Sequence, residues 1–279
     1  MCRIGVLCRQ YTFEQWWRNW MINTLAKGFA RKAAPLAALA MGAALSGCGF
    51  VGNWDKVDGE PLAELDMTGD APTKVSLSGP DTIEITEGAT FAITLEGDAD
   101  AGAALRFDRD GDSLAIGRDK EAYDGNGKAV VRITMPAASR LAIAGSGTIK
   151  ADTMANDATI KVAGSGDITV ASLAAEKVDV SIAGSGDVTA AGTAKALSVD
   201  IAGNGDVKFG GLTADEVDIG IAGSGDVDLA SNGKVKARIA GSGDITVTGT
   251  AECTLDNAGS GTLTCRSSET VATGEVAAE

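Results

Sequence analysis

A four-residue phrase, Ala-Gly-Ser-Gly or its near twin, recurs seven times in the second half of the chain. Its first glycine falls at Gly145, Gly164, Gly184, Gly203, Gly223, Gly241 and Gly259, at intervals of 19, 20, 19, 20, 18 and 18 residues. A period this short and regular predicts a solenoid, in which one repeat is one coil and buries its apolar face only against the next. Before the turns, apolar residues alternate with polar ones, as in Val178-Asp179-Val180-Ser181-Ile182 and Val217-Asp218-Ile219-Gly220-Ile221. After them the alternation resumes, as in Asp167-Ile168-Thr169-Val170 and Asp244-Ile245-Thr246-Val247. Period two with β-branched inward residues is the pattern of half-buried strands.

Each coil is therefore expected to run strand, Gly-Ser-Gly bend, short strand, variable corner. The fold class is all-β, a parallel β-helix with coils of 18–20 residues. A leucine-rich horseshoe would need its own Leu and Asn signature, and a barrel or sandwich does not need the same turn in phase. Ile182, Ile201, Ile221 and Ile239 are expected to form one inward column. The glycines are expected at the bend because they reach positive φ without a Cβ penalty. The preceding alanines are expected where neighbouring coils crowd. Ser146, Ser165, Ser185, Ser224, Ser242 and Ser260, with Asn204 in one copy, are expected to stack into a side-chain hydrogen-bond ladder.

Residues 68–140 are less repetitive but read as strands over 74–78, 82–86, 90–95, 105–108, 113–117 and 129–135, with a loop over 119–128. Gly, Asp and Pro punctuate them. One domain over 68–265 is the simplest count, with these strands covering one end of the stack.

The N-terminus carries a different message. Lys27, Arg31 and Lys32 precede an apolar run over 33–44, then Leu45-Ser46-Gly47-Cys48. That order is a secretory signal, and the run is short for a membrane span. The Leu-Ser-Gly-Cys ending resembles the lipobox of bacterial lipoproteins. The resemblance implies cleavage before Cys48 and a lipid on its thiol; the alternative is an ordinary signal peptide with a chance cysteine. Met21 is the expected start, with residues 1–20 a start-site artefact or else a long n-region. This assigns 21–47 to the signal peptide, 48–67 to the lipidated cysteine and tether, and 266–279 to a polar tail.

Residues 48–279 hold 37 acidic and 18 basic side chains, a net charge of −19. That charge argues against binding nucleic acid or an anionic lipid surface through general electrostatics. The chain has no histidine, so histidine triads, histidine-ligated zinc and histidine proton shuttles are excluded. Cys253 and Cys265 fall in phase with inward valines. They are either two buried thiols acting as small hydrophobes or, after export, a disulfide between adjacent coils.

Asp167, Asp187, Asp206, Asp226 and Asp244 follow the turns and should stack in one column. Ionised neighbours about 4.8 Å apart repel by roughly 0.9 kcal/mol even in bulk water. Such a column needs backbone N–H partners, splayed rotamers, solvent or cations. Calcium between coils is one reading; the other is an Asp accepting turn N–H groups. The period is not the nine residues of calcium-binding β-rolls. Thr148 and Thr262 replace Asp in the first and last copies, as terminal repeats that cap a stack do. No Gly-x-Gly copy opens a helix, so a dinucleotide site fails on context. A glycoside hydrolase would need two acids at a set separation in a cleft. Here the acids are spread evenly, and the rings on offer are Phe50, Trp54, Phe91, Phe107, Tyr123 and Phe209. No catalytic, cofactor-binding or metal-ligating residue is assigned.

Residues 77–88 read Leu-Ser-Gly-Pro-Asp-Thr-Ile-Glu-Ile-Thr-Glu-Gly. With Gly111-Asp112-Ser113-Leu114-Ala115-Ile116, Val131-Arg132-Ile133-Thr134-Met135-Pro136 and the repeated Gly-Ser-Gly-Asp, they resemble the head-GIN domain family of putative auto-transporter adhesins. The resemblance covers roughly residues 70–265. It implies a right-handed, single-stranded β-helix, often borne by lipoproteins of Gram-negative bacteria, and supplies no catalytic residues. The expected function is a non-enzymatic envelope or surface lipoprotein. Gly49, rather than Asp, after the cysteine points to the outer membrane. The acidic lateral face would contact an unidentified envelope or surface ligand, protein or polysaccharide. The alternatives are a polysaccharide-acting β-helix enzyme, or a structural or stress-related envelope protein without a discrete ligand.

Overall fold

Two outward residues in a row decide the cross-section of a coil. Along β9 (Asp167–Gly184), Ile168 and Val170, then Leu173 and Ala175, then Val178, Val180 and Ile182 are buried. Between these groups Ala171 and Ser172 both face out, as do Glu176 and Lys177. A strand alternates sides, so each such pair bends the chain around the core, and the Gly-Ser-Gly turn supplies a third bend. The coil thus has three sides. The variable corner expected from the sequence falls inside the long strands, where the register shifts, between Thr153 and Asp157 of β8 against β9 and between Phe209 and Thr213 of β11 against β12. A similar plan, with corners of varying length, repeats in β8 (Thr148–Gly164), β10 (Val188–Gly203), β11 (Val207–Gly223) and β12 (Val227–Gly241), giving a parallel β-solenoid of about seven turns of roughly 19 residues. The stack ends in β13 (Asp244–Thr248), β14 (Glu252–Asn257) and β15 (Thr262–Arg266). This computed structural model describes residues 59–266 apart from 120, 123, 124 and 126. The signal segment, Met21, Cys48, Phe50, Trp54, Tyr123 and the tail from 267 lie outside the described residues.

The isoleucine column is continuous. Ile182 pairs with Ile201, Ile201 with Ile221 and Ile221 with Ile239, all buried. Each such side chain contributes about 2 kcal/mol by leaving water. The column closes at Asn257, which pairs with Ile239 and whose Nδ2 donates to the Gly261 carbonyl at 2.7 Å.

The two glycines of each turn are needed for different reasons. Gly203 has φ 138°, and a Cβ there would lie 2.1 Å from the Gly184 carbonyl oxygen of the coil below. Gly205 has no such backbone demand, yet its Cβ would meet the Gly186 oxygen at 2.3 Å and Ile182 Cγ2 at 2.8 Å. The first glycine makes the bend; the second lets coils stack. The alanines before the turn do not sit where coils crowd. They point outward, and Ala183, Ala202, Ala222 and Ala240 are exposed. The serine ladder is mostly a backbone ladder: Ser185 N donates to Gly164 O at 2.8 Å and Ser224 N to Gly203 O at 2.9 Å. Ser260 Oγ to Ser242 Oγ, 3.1 Å, is the one side-chain rung among the described residues.

The N-terminal third is threaded out of order. β1 (Lys74–Ser78) and β2 (Thr82–Glu87) form one coil whose turn carries Gly79, φ 124°. The chain then makes β3 (Ala92–Gly97), α1 (Ala99–Ala103), β4 (Leu105–Asp110) and β5 (Ser113–Arg118). Next come β6 (Ala129–Met135) and β7 (Ala138–Gly145). β1 pairs in parallel with β5 on one side and β7 on the other; β2 lies likewise between β6 and β8. The first coil in sequence is therefore intercalated between two made later. β3 and β4 run antiparallel along β6 and β5 and cover that end. Helix α1 starts from Asp98, whose carboxylate accepts from Ala101 N at 2.8 Å.

Asp81 occupies the place of a second turn glycine and is fully buried. The coil beneath it replaces the tight turn with the loop 119–128, which leaves room for a side chain. Asp81 ties both ends of that gap: its carboxylate pairs with Arg118 at the end of β5 and accepts from Ala129 N at 2.8 Å at the start of β6. Arg118 also donates to Gly127 O at 3.0 Å. The tether is shorter than expected, since Glu60 exchanges backbone hydrogen bonds with Phe107 of β4 at 2.9 and 2.8 Å. Leu62 and Leu65 pack on the core.

Candidate functional site

The aspartate column exists, and the register explains it. Asp167 N donates to a backbone carbonyl in the coil below, Gly147 O at 3.0 Å, but from Asp187 onward the Asp N–H turns to another acceptor. It finds a carboxylate there instead. Asp187 N donates to Asp167 Oδ1 at 3.1 Å, Asp206 N to Asp187 Oδ1 at 3.2 Å, and Asp226 N to Asp206 Oδ1 at 3.0 Å. Asp244 N follows, to Asp226 Oδ1 at 2.8 Å. Thr262 ends the series, giving both its N–H and its hydroxyl to Asp244, at 3.0 and 2.7 Å. The N–H reading of the column is thus right in kind, but the donor comes from the next coil rather than from the same turn. Lys208 neutralises part of the column: its ammonium pairs with Asp187 and lies 3.8 Å from Asp206. The hydrogen bond to Asp187 raises the lysine's pKa, with the charges of Asp187, Asp206 and Asp167 adding to it. Among the described residues no group of three His, Cys, Asp or Glu is arranged to hold a metal ion.

The ladder has a direct test. Replacing Asp187, Asp206 and Asp226 together with Asn keeps an acceptor oxygen at each position and removes three charges. The expected result is an unchanged or higher melting temperature at low salt, where repulsion is least screened. The triple Ala variant strands three N–H groups and should lose roughly 0.5 kcal/mol for each. Equal losses in the two variants would remove the acceptor role. A calcium-dependent rise in melting temperature that the Asn variant abolishes would replace the ladder with a cation site.

The side of the coil before the turn carries mixed charge. Asp200 and Asp218 lie on neighbouring coils there, and Arg238 pairs with Asp218 at 2.6 Å. Partial burial raises the Asp200 pKa, and the Asp218 charge adds to it. A shallow depression of about 230 Å³ opens beside them, where Ala196 and Ser198 are small among Lys177, Glu216, Asp218 and Lys234. No ring borders it: Phe107 and Phe209 are buried, and Phe91 stacks with Arg109 at 5.4 Å. The two close carboxylates beside an aromatic that a sugar-cleaving site would use are not brought together among the described residues.

Cys253 and Cys265 lie in register with the buried Val235 and Val247, but at the end of the stack Cys253 is half-buried and Cys265 exposed. They are joined by a disulfide, with Cα atoms 6.7 Å apart. It does not join adjacent coils. It links the start of β14 to the end of β15 and closes the last coil on itself. Asp81 and Arg118 are what sequence reasoning missed; the signal was the Gly79-Pro80-Asp81 turn in register with Gly145-Ser146-Gly147.

By fold the chain is a parallel β-solenoid whose lateral faces are uniform from coil to coil, a scaffold class suited to surface contacts more than to an enclosed pocket. It belongs to the head GIN domain family, whose model, described as "putative auto-transporter adhesin, head GIN domain", matches residues 71–251. No curated protein matches it. Similar solved structures include a putative adhesin from Bacteroides fragilis, 22% identical, covering 72% of this chain and 94% of that one, with a TM-score of 0.66. Another is described as a putative lipid binding protein from Parabacteroides distasonis: 21% identity, 70% and 93% coverage, TM-score 0.56. A third is a putative adhesin from Parabacteroides merdae, with 20% identity, 72% and 93% coverage and a TM-score of 0.56. At these identities the likeness is one of fold.

Proposed function

We propose that the chain is a non-enzymatic, lipid-anchored envelope protein of a Gram-negative bacterium that binds another molecule through its solenoid. The carrying observation is the aspartate ladder, which holds carboxylates at a fixed coil spacing on an exposed face. A face with one chemical repeat per coil suits a partner that itself repeats, such as a polysaccharide or a fibrous protein. The family's adhesin description supports an exported, surface-acting role. Lipid anchoring rests on Leu45-Ser46-Gly47-Cys48 after the apolar run, and outer-membrane sorting on Gly49. Among the described residues no helix is long and apolar enough to cross a membrane.

The anchor is tested by Cys48→Ala. The variant should take up no labelled palmitate and should leave the membrane fraction. Palmitate label retained by the variant would refute the assignment, and recovery of the wild type in the inner membrane would refute the sorting. Release of new reducing ends from an envelope polysaccharide by the purified protein would replace the binding reading with an enzymatic one.

A further inference from the structure

The two ends of the stack are built differently. At the first, β3 and β4 lie across the coil and Glu60 pairs beyond β4. At the last, nothing comparable covers β14 and β15 among the described residues. The inward positions there are Ala251, Cys253, Leu255, Leu263 and Cys265. Leu255, 38% exposed, is the one large apolar side chain exposed among the described residues. Among the described residues, both strands also present an unpaired edge along the stack axis. Sheet proteins usually blunt such an edge with Lys, Pro or a bulge. β15 reads Thr262-Leu263-Thr264-Cys265-Arg266 and has none of these.

We propose that this end docks on the same end of a second copy of the chain, about a two-fold axis, with β15 pairing antiparallel to the second copy's β15 around Thr264. The charges choose this strand. β14 carries Glu252 and Asp256, which self-pairing would set against each other. On β15 the same operation sets Thr264 against its own copy and Thr262 opposite the second copy's Arg266. Asp244 lies next to Thr262 in register, one coil in. Arg266 forms no ion pair among the described residues, so its guanidinium is available to that carboxylate across the axis, twice per dimer. The disulfide holds the docking coil in shape before contact, which reduces the ordering cost of association.

The arrangement adds to the proposed adhesin, on whose lipid anchor this part rests, a second contact distinct from the lateral ladder. The described chain begins at the covered end, at Gly59 and Glu60. An end-to-end pair about a two-fold axis sends the two covered ends in opposite directions. Anchors at Cys48 would then sit in two facing membranes, and the surface that one cell recognises would be the same protein on the next.

The test is sedimentation of the full chain in detergent at physiological salt. The expected species has twice the mass of one chain. Leu255→Asp should weaken association at least tenfold, and so should Arg266→Glu, which alters no buried group. Thr169→Lys on the lateral face should leave it unchanged. A single-chain mass at every concentration up to the solubility limit, or a dimer indifferent to both end variants, overturns the proposal. Hydrogen-exchange protection of residues 267–279 that vanishes together with β14 protection on truncation would overturn it too, by making the chain's own tail the cover. Two populations of vesicles carrying the full chain should cluster, and those carrying Arg266→Glu should not. Dimers that fail to cluster vesicles overturn the facing-membrane arrangement. Palmitate at Cys48, measured in the same preparation, separates failure of the anchor from failure of the pairing.

Discussion

Gly203→Ala should destabilise the protein by more than about 3 kcal/mol, enough to lower its unfolding midpoint severely. Two costs add. The residue sits at φ 138°, where an L side chain is strained, and the new methyl would stand 2.1 Å from the Gly184 carbonyl oxygen. The neighbour that would have to move is backbone, and it is itself fixed by the glycine one coil further down. A solenoid transmits such a shift only by opening the stack, because each coil has no other contacts than its two neighbours. Gly210→Ala is the control: nothing lies within 4 Å of its added Cβ. It should stay within about 0.5 kcal/mol of wild type or gain slightly by restricting the unfolded chain. Urea denaturation of the two variants side by side settles the matter. A Gly203→Ala midpoint close to that of Gly210→Ala would mean the coils are not stacked as described.

The second large effect belongs to Asp81. Its side chain is 0% exposed and that of Arg118 is 7% exposed, so the pair is removed from water as fully as any core residue. Truncating Arg118 leaves the fully buried Asp81 carboxylate without its counter-charge, at a cost of roughly 3–5 kcal/mol. Asp81→Ala should also free Ala129 N, loosening the start of β6 and the loop before it. Hydrogen exchange should therefore rise first in 119–135, before the C-terminal coils respond. The double variant Asp81→Ala with Arg118→Met removes both charges and should recover much of the loss. Failure of the double variant to recover would show that Asp81 acts through Ala129 N and packing rather than through charge.

The coils from Gly145 onward were legible because each must solve the same problem with the same residues. A bend needs Gly203, a stacking contact needs Gly205, and an inward column needs Ile201; the requirement is local, so it is written locally. The strands from 74 to 135 were legible one by one, and their partners were not. Nothing near Val75 announces that Leu114 lies on one side of it and Leu141 on the other. Pairing order is a property of the whole chain, and no period marks it where the loop 119–128 replaces a turn. Asp81 shows the same limit. After Gly79 and Pro80 an aspartate reads as an ordinary turn residue, and only the gap beneath it turns the side chain inward. At the acidic column the residue type and stacking were plain from the spacing. The donor was not, because an N–H from a neighbouring coil becomes visible only once the register is known.

The intercalated first coil also bears on how the chain can come to be folded while it is being made and exported. Lys74 ends up beside both Ser113 and Arg140, so β1 has no strand partner until β5 is made and is not flanked on both sides until β7 follows. The two contacts close loops of very different length around one strand, and neither helps until the loop is shut. This end cannot grow coil by coil in the order of synthesis, although the C-terminal coils can be added that way. Closure of the 74–148 region, rather than stacking of the C-terminal coils, should therefore be the slow step of folding, read as a refolding rate that rises when the 119–128 loop is shortened.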